Sequence, residues 1–213
     1  MSTDRQEERL LIYSHDCYGL GHLRRCRAIA HALAERRPNL SILIISGSPL
    51  AGSFEFHPRV DFVRIPGVLK RRNDGVLEPM NLNLALEDVM EMRSELIRRT
   101  AELFDPDIFL VDHVPTGLRN EARDTLTMLK AKGTRLVLGY RDIHHIPKSA
   151  MAWERDDFTK PISTFYDHVL VYGLESFHNP FSKMGLSKTV EKKISFTGYL
   201  RTQVFDVSAY GTT

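Results

Sequence analysis

The residues of this sequence best suited to chemistry lie in one short segment, Gly19-Leu20-Gly21-His22, with Arg25 one turn further on. An apolar run precedes the segment and a stretch of helical period follows it, which predicts a strand-to-helix turn. Two glycines at such a turn let the chain reverse tightly and bring backbone N–H groups close to a ligand. The positive end of the following helix favours anionic or oxyanionic groups there. The segment is therefore the leading candidate for a functional site.

His22 is the candidate catalytic residue. A helix N-terminus disfavours the charged imidazolium, so we expect a neutral ring that can accept a proton near pH 7. Asp16 is close enough in the loop to orient this ring, and Arg25 suits a phosphate or carboxylate partner. The alternatives are a His22 that caps the helix or packs under the sheet, and an Arg25 that is a solvated helix arginine.

The same loop argues against common cofactors. A dinucleotide fingerprint needs a third glycine where the chain has Arg24, and an acid near the end of the second strand, where Ser46-Gly47-Ser48 has none. A P-loop needs Gly-Lys-Ser/Thr after the loop, and this is missing. Adjacent His144 and His145 point to opposite faces of an extended chain, and the cysteines lack zinc spacing. We therefore expect neither a cofactor nor a metal.

The pattern Gly-x-Gly-His-x-x-Arg, formed by Gly19, Gly21, His22 and Arg25, resembles a known loop. It is similar to the N-terminal loop of GT-B glycosyltransferases of the type that makes the lipid-linked peptidoglycan precursor. It is more similar to the nucleotide-sugar hydrolases of pseudaminic acid synthesis, and to a bacterial group of predicted glycosyltransferases that share HDxxGLGHxxR. Two later blocks, Val111-Asp112-His113 and the segment 139–143, also resemble that predicted group.

This resemblance implies a function and a domain organisation. GT-B enzymes have two α/β domains facing a cleft, and the C-terminal one holds most of the nucleotide-sugar donor. Residues 1–213 are then expected to be a single N-terminal domain that binds a hydroxyl acceptor, with the donor-binding domain outside this chain. His22 is implied as general base on the acceptor hydroxyl, or on water in a hydrolase. A truncated enzyme, a subunit of a split enzyme and a non-catalytic docking subunit all remain open, and little transfer by the chain alone is expected.

Further site candidates come from the ends of the predicted strands, where open α/β sheets bind ligands. Asp112 and His113 close the fourth strand, and Arg141 and Asp142 end the fifth. Their alternatives are a local backbone cap at Asp112 and an internal Arg141–Asp142 pair. The residues predicted to bind substrate are therefore Asp16, Gly19, Leu20, Gly21, Arg25, Asp112, His113, Arg141 and Asp142.

The elements that must position these residues follow from periodicity. Short apolar runs alternate with helical segments, which is typical of β-α-β units. The predicted strands are Leu10 to Ser14, Leu40 to Ser46, Val60 to Ile65, Ile108 to Val111, Leu136 to Tyr140, His168 to Tyr172 and Ile194 to Phe196. The predicted helices cover about Gly21 to Arg36, Pro79 to Leu103 and Gly117 to Ala131. The expected fold is α/β and Rossmann-like: a doubly wound, mostly parallel sheet of about seven strands with helices on both faces.

Composition narrows the function classes. The 213 residues carry a net charge of +2, with 42% hydrophobic and 26% charged residues, which fits one soluble domain and argues against nucleic-acid binding. The polar segment Met1 to Arg9 is unlike a secretory signal, so Cys17 and Cys26 are expected to be reduced thiols in a cytoplasmic protein. Gly67 to Glu78 is predicted to be an exposed loop. Its basic run Lys70 to Arg72 is interpreted either as solvated or as a peripheral contact with an anionic lipid or an acceptor phosphate.

Overall fold

The computed structural model describes residues 7–14, 20–71, 75–142, 153–182 and 184–200, with only the backbone of residues 153–158. The strands of this part of the chain are β1 (Glu8–Ser14), β2 (Leu40–Ser46), β3 (Val60–Arg64), β4 (Val68–Lys70), β5 (Leu77–Pro79), β6 (Ile108–Asp112), β7 (Arg135–Arg141), β8 (His168–Tyr172) and β9 (Ile194–Phe196). The helices are α1 (Gly21–Arg36), α2 (Leu86–Phe104), α3 (Arg123–Lys132), α4 (Trp153–Phe165) and α5 (Lys188–Glu191).

Seven of these strands form one parallel sheet in the order β3-β2-β1-β6-β7-β8-β9. The chain adds strands outward from β1 in one direction, then returns and adds strands from β6 in the other. The reversal places a crevice between the carboxyl ends of β1 and β6, where doubly wound sheets bind their ligands. The predicted fold class is confirmed, and each of the seven predicted strands is present.

Both faces of the sheet are covered, because neighbouring residues of a strand point to opposite sides. On one face Leu10 and Ile12 of β1 join a core that includes Ala30 of α1. On the other face Leu11 and Tyr13 join a larger core with residues of α2, α3 and α4. The unbroken apolar runs of the central strands follow from this double covering.

The end of α1 and the end of α3 follow their sequence signals. Arg37, which precedes Pro38, has an extended backbone and ends α1, as expected for a residue before proline. Gly133 adopts a left-handed conformation with φ 84° and donates to the carbonyl groups of Leu129 and Lys130, which ends α3. The predicted helix ends are therefore confirmed at both places.

Two predicted helix starts are wrong. The long helix begins at Leu86 and not at Pro79, because Pro79 belongs to β5 and pairs with Val68. The helix predicted from Gly117 begins at Arg123, after a turn of 3-10 helix at Leu118–Asn120.

The segment predicted as an exposed loop, Gly67 to Glu78, contains the strand β4 and the first two residues of β5, which pair in antiparallel fashion. Lys70 and Arg71 are exposed, as expected, while Arg72 lies outside the described residues. Among the described residues, no helix combines the length and the apolar character that crossing a bilayer requires.

A buried ion pair joins α2 to the segment that follows β6. Arg93 of α2 donates from Nε to Glu121 Oε2 at 2.6 Å and from Nη2 to Oε1 at 2.7 Å, and neither side chain is exposed. The Tyr13 hydroxyl of β1 donates to the same carboxylate, and the Ser94 hydroxyl donates to the Glu121 carbonyl at 2.9 Å. These bonds hold the segment after β6 against the sheet.

Candidate functional site

The candidate site lies at the crevice between β1 and β6. Ser14, the last residue of β1, pairs with Asp112, the last residue of β6, and Asp112 pairs with Gly139 of β7. The helix α1 begins at Gly21, so its N-terminus lies at the same edge of the sheet. His22 is the second residue of that helix. The topology therefore brings an imidazole and a carboxylate from distant parts of the sequence to one place.

His22, Asp112 and Arg25 form a hydrogen-bonded group that we call the His22–Asp112–Arg25 cluster. His22 Nδ1 lies 2.7 Å from Asp112 Oδ2. Arg25 donates from Nε to Oδ1 at 2.9 Å and from Nη2 to Oδ2 at 2.6 Å, which is a two-point grip on the carboxylate. The side chain of Asp112 is 1% exposed, whereas those of His22 and Arg25 are 18% and 13% exposed. Only the imidazole and the guanidinium therefore reach solvent.

The charge state of Asp112 follows from its partners. Burial by itself raises the pKa of this carboxyl, but hydrogen bonds from His22 and Arg25 outweigh burial and hold the pKa below its usual value. Burial likewise lowers the pKa of Arg25, and its bond to Asp112 outweighs that effect and raises it. Asp112 and Arg25 are therefore both ionised at neutral pH.

The ionised carboxylate decides the tautomer of His22. A carboxylate can only accept, so the 2.7 Å contact requires Nδ1 to carry the hydrogen. Arg25 Nη2 lies 3.0 Å from the same nitrogen, an approach that results from both groups binding Oδ2. In this tautomer Nε2 carries the lone pair that can accept a proton. The arrangement suits a general base whose ring is oriented by a carboxylate.

His113 borders the cluster on a strained backbone. Its φ is +75°, a left-handed conformation that residues other than glycine rarely adopt and that clusters at functional sites. Its N–H donates to the Gly139 carbonyl at 2.7 Å, which fixes the bend directly after β6. The ring centroid of His113 lies 5.5 Å from that of His22, and the ring stacks on Tyr140 at 5.4 Å. His113 therefore lies beside His22, as a wall of the same crevice.

The other residues predicted for the glycine loop lie outside the described residues or at the start of α1. Asp16 and Gly19 lie outside the described residues, so the expected orienting role of Asp16 stays a prediction. Leu20 precedes α1, and its carbonyl accepts from the Arg24 N–H at 2.9 Å. Gly21 has no positive φ, and a methyl group there would meet no atom of the described residues within 4 Å. Gly21 itself therefore needs no left-handed backbone, while the tight turn predicted for the pair with Gly19 stays a prediction.

Arg141 and Asp142 are not brought together at the site. The parallel register places Arg141 two residues beyond Gly139, so it shares the sheet face of Asp112 and is exposed at its edge. Asp142 is buried against Gly173, where an added Cβ would lie 2.5 Å from Asp142 Oδ2. Only Arg141 of the two shares the face of the His22–Asp112–Arg25 cluster.

Two residues that the sequence did not single out contact this cluster. Tyr172 ends β8, and the Arg25 guanidinium lies over its ring, 5.6 Å from the centroid. Gly139 lies beneath the Tyr172 hydroxyl. The available signals were the position of Tyr172 at a strand end and the place of Gly139 in the segment 139–143, which resembles the predicted glycosyltransferase group. In the described part of the chain, no group of three or more His, Cys, Asp or Glu residues could hold a metal ion.

No protein-family model matches this sequence, and no curated protein sequence matches it either. Solved structures do match it. A glycosyltransferase from Rickettsia africae ESF-5 has a TM-score of 0.51 and 14% identity, over 90% of this chain and 43% of that one. A UGT transferase from Siraitia grosvenorii in complex with UDP has a TM-score of 0.52 and 14% identity, over 88% of this chain and 47% of that one. A UDP-N-acetylglucosamine 2-epimerase has a TM-score of 0.54 and 10% identity, over 91% of this chain and 49% of that one.

The chain spans about half the length of each of these structures. At such low identity the similarity concerns the fold alone. The expected architecture is thereby confirmed: by fold, this chain is similar to about half of each of these structures, which include glycosyltransferases and a UDP-N-acetylglucosamine 2-epimerase.

Proposed function

We propose that this chain is the acceptor-binding half of a glycosyltransferase, which moves a sugar from a nucleotide-sugar donor to a hydroxyl acceptor with His22 as general base. The observation that supports this most is the 2.7 Å contact between His22 Nδ1 and the buried Asp112 carboxylate at the crevice. Unlike the fully buried pair of Arg93 and Glu121, this contact includes an imidazole that is 18% exposed, so a substrate in the crevice could reach it.

The proposed step uses each member of the cluster. The acceptor hydroxyl gives its proton to His22 Nε2 as its oxygen forms a bond to the anomeric carbon of the donor. The bond from that carbon to the phosphate oxygen breaks, and the nucleoside diphosphate leaves with the electron pair. Asp112 balances the positive charge that develops on the imidazole, and Arg25 keeps Asp112 ionised and in place.

The acceptor would lie in the crevice in front of α1. Of the described residues none lies within 4 Å of a methyl group added at Gly21, and the half-buried ring of His113 forms one wall. Arg141, exposed on the same sheet face, is a predicted residue that could contact an acceptor hydroxyl or phosphate. Gly19 and Leu20 remain predicted backbone contacts, and Asp142, which is buried against Gly173, also stays a predicted site residue.

The donor is proposed to be a nucleotide sugar, held mainly by a second domain. Solved structures similar in fold are described in complex with UDP or with UDP-glucose, and this chain matches about half of each. Since half of such a site would be supplied by the other domain, we expect little or no transfer by the 213-residue chain alone. Robust transfer by the purified chain without a donor-binding half would contradict the proposal that a second domain holds the donor.

The experiment that tests the base is His22→Ala in this chain combined with its donor-binding half. We expect turnover to fall by roughly 10²–10⁴-fold, the usual contribution of a positioned base, with an unchanged circular dichroism spectrum. The matched control is His168→Ala, an exposed histidine at the opposite end of β8, which should retain full turnover. Native turnover in the His22→Ala variant would refute the proposal.

The same preparation separates transfer from hydrolysis. Incubation with a nucleotide sugar, with and without a hydroxyl acceptor, shows which nucleophile loses its proton to His22. Sugar release that needs the acceptor supports the transferase. Release at the same rate without acceptor would mean that water is the substrate, and the chain would then be half of a nucleotide-sugar hydrolase.

A further inference from the structure

Tyr172 occupies an unusual position at the end of β8. Residues two apart in a strand share a face, and Leu170 pairs with Gly139, so Tyr172 points to the same sheet face as Asp112. The side chain does not stand upright on the sheet. Its hydroxyl and ring edge lie above Gly139 of the neighbouring strand, between β8 and the His22–Asp112–Arg25 cluster.

Gly139 is what makes this placement possible. A Cβ at position 139 would lie 1.8 Å from the Tyr172 hydroxyl oxygen and 2.6 Å from Cζ, distances at which atoms cannot coexist. Any other residue at position 139 would therefore force the ring away from its place. The glycine lies directly beside Asp112 in the register of β6 and β7, so the room it leaves is next to the carboxylate.

The ring of Tyr172, and not its hydroxyl, makes the useful contact. The Arg25 guanidinium lies over the ring at 5.6 Å, within the range of a cation–π interaction. The hydroxyl is buried and has no hydrogen-bond partner among the described residues. Burial raises the pKa of this phenol well above its usual value, so it stays neutral and adds no charge beside Asp112. The aromatic face therefore contacts Arg25 close to the carboxylate that Arg25 binds.

We propose that Tyr172 is a positioning residue for the reaction: its ring, seated over Gly139, holds Arg25 in the two-point grip on Asp112 that orients His22. This inference rests on the function proposed above, because it assigns the ring a role through His22. Tyr172 does not touch the reacting atoms. Its effect should appear in kcat, which depends on the orientation of the base, and hardly in KM.

The test compares Tyr172→Met with Tyr172→Phe, both in the chain combined with its donor-binding half. Methionine fills similar space but has no aromatic face, whereas phenylalanine keeps the ring and removes the unpartnered hydroxyl. We expect Tyr172→Met to lower kcat about tenfold, the factor that a partly desolvated cation–π contact supports, with KM within about twofold. Tyr172→Phe should retain most of the native kcat. The matched control is Phe177→Met, an aromatic residue exposed in the loop after β8, which should not change kcat.

A second readout does not depend on activity. In the native chain, the Arg25 Nε–H resonance should be shifted upfield by the Tyr172 ring current and protected from exchange by Asp112. Tyr172→Met should remove the shift and speed the exchange, and Tyr172→Phe should keep both. Gly139→Ala should reproduce the methionine result, because it displaces the ring without changing its chemistry.

The outcomes separate this inference from the proposed function. If His22→Ala leaves turnover intact while the Arg25 resonance responds as expected, the general base is wrong and the support of Arg25 by Tyr172 stands. If His22→Ala abolishes turnover but Tyr172→Met changes neither kcat nor the Arg25 resonance, the inference about Tyr172 is wrong. If the methionine variant does not fold, the native protein still provides a test. An Arg25 Nε–H resonance with no upfield shift there would overturn the inference about Tyr172.

Discussion

Asp112 Oδ2 lies 2.7 Å from Nδ1 of His22, although the two residues are 90 positions apart in the chain. The contact exists because β1 and β6 are neighbours in the sheet, while α1 follows one and Asp112 ends the other. It gives the imidazole a defined tautomer and a negative partner that is shielded from water.

Replacing Asp112 by asparagine should disable the base without removing it. The neutral amide cannot balance a charged imidazole and can present its NH₂ group to Nδ1, which would favour the wrong tautomer. We expect kcat of the Asp112→Asn variant to fall by roughly 10²–10⁴-fold, measured with the donor-binding half present. The control is Asp61→Asn on the exposed side of β3, which should leave kcat unchanged. An Asp112→Asn variant as fast as the native protein would exclude a role for the carboxylate.

The buried pair of Arg93 and Glu121 should matter for stability and not for chemistry. Glu121→Gln leaves the Arg93 charge buried with no opposite charge, and we expect the free energy of unfolding to fall by about 3–5 kcal/mol. Chemical denaturation measures this loss. The double variant Arg93→Met with Glu121→Leu should lose less than the two single variants added together, because it leaves no uncompensated charge.

A surface pair on the same helix provides the comparison for this prediction. Glu95 accepts from Arg98 at 2.8 Å, with both side chains in contact with solvent. Glu95→Gln should change the free energy of unfolding by less than about 1 kcal/mol, as exposed ion pairs usually do. Equal losses at Glu95 and Glu121 would show that burial is not what makes the inner pair important.

Acid should weaken the fold through His31. This residue of α1 is buried, and its Nε2 accepts the backbone N–H of His57 at 3.1 Å, which requires a neutral ring. Burial, then the nearby charges of Arg27 and His57, lower the pKa of His31 from 6.5 to about 4. Because the unfolded chain binds the proton more readily, stability is complete above pH 6.5 and falls as the pH drops toward about 4.

Thermal unfolding as a function of pH checks this prediction. The Tm of the native chain should decrease between pH 6.5 and about 4, and His31→Gln should make that decrease shallower, since glutamine takes up no proton. Exposed His168→Gln should leave the pH dependence unchanged. The pKa of His57 is also lowered, by burial first, so some decrease should remain in the His31 variant. Identical curves for the native chain and His31→Gln would contradict the assignment.

Much of the fold could be predicted because it depends on short-range patterns. The strands Leu40–Ser46, His168–Tyr172 and Ile194–Phe196 were predicted with the bounds that the structure shows, since apolar runs covered on both faces leave a local signal. The start of α2 was predicted wrongly, because proline is common in a first helical turn but also fits a short edge strand. The acidic residues Glu87 and Asp88 in the observed first turn were the better signal.

The sequence by itself determined that His22 stands at a strand-to-helix turn and that Asp112 ends a strand. Strand ends and helix starts depend mainly on residues that are close together in the sequence. Only the tertiary structure decided that these two residues meet, that Arg25 grips the carboxylate, and that Tyr172 lies over Gly139. Such contacts depend on which strands become neighbours. That order is set by the packing of the whole sheet and its helices, for which no local stretch of residues carries a signal.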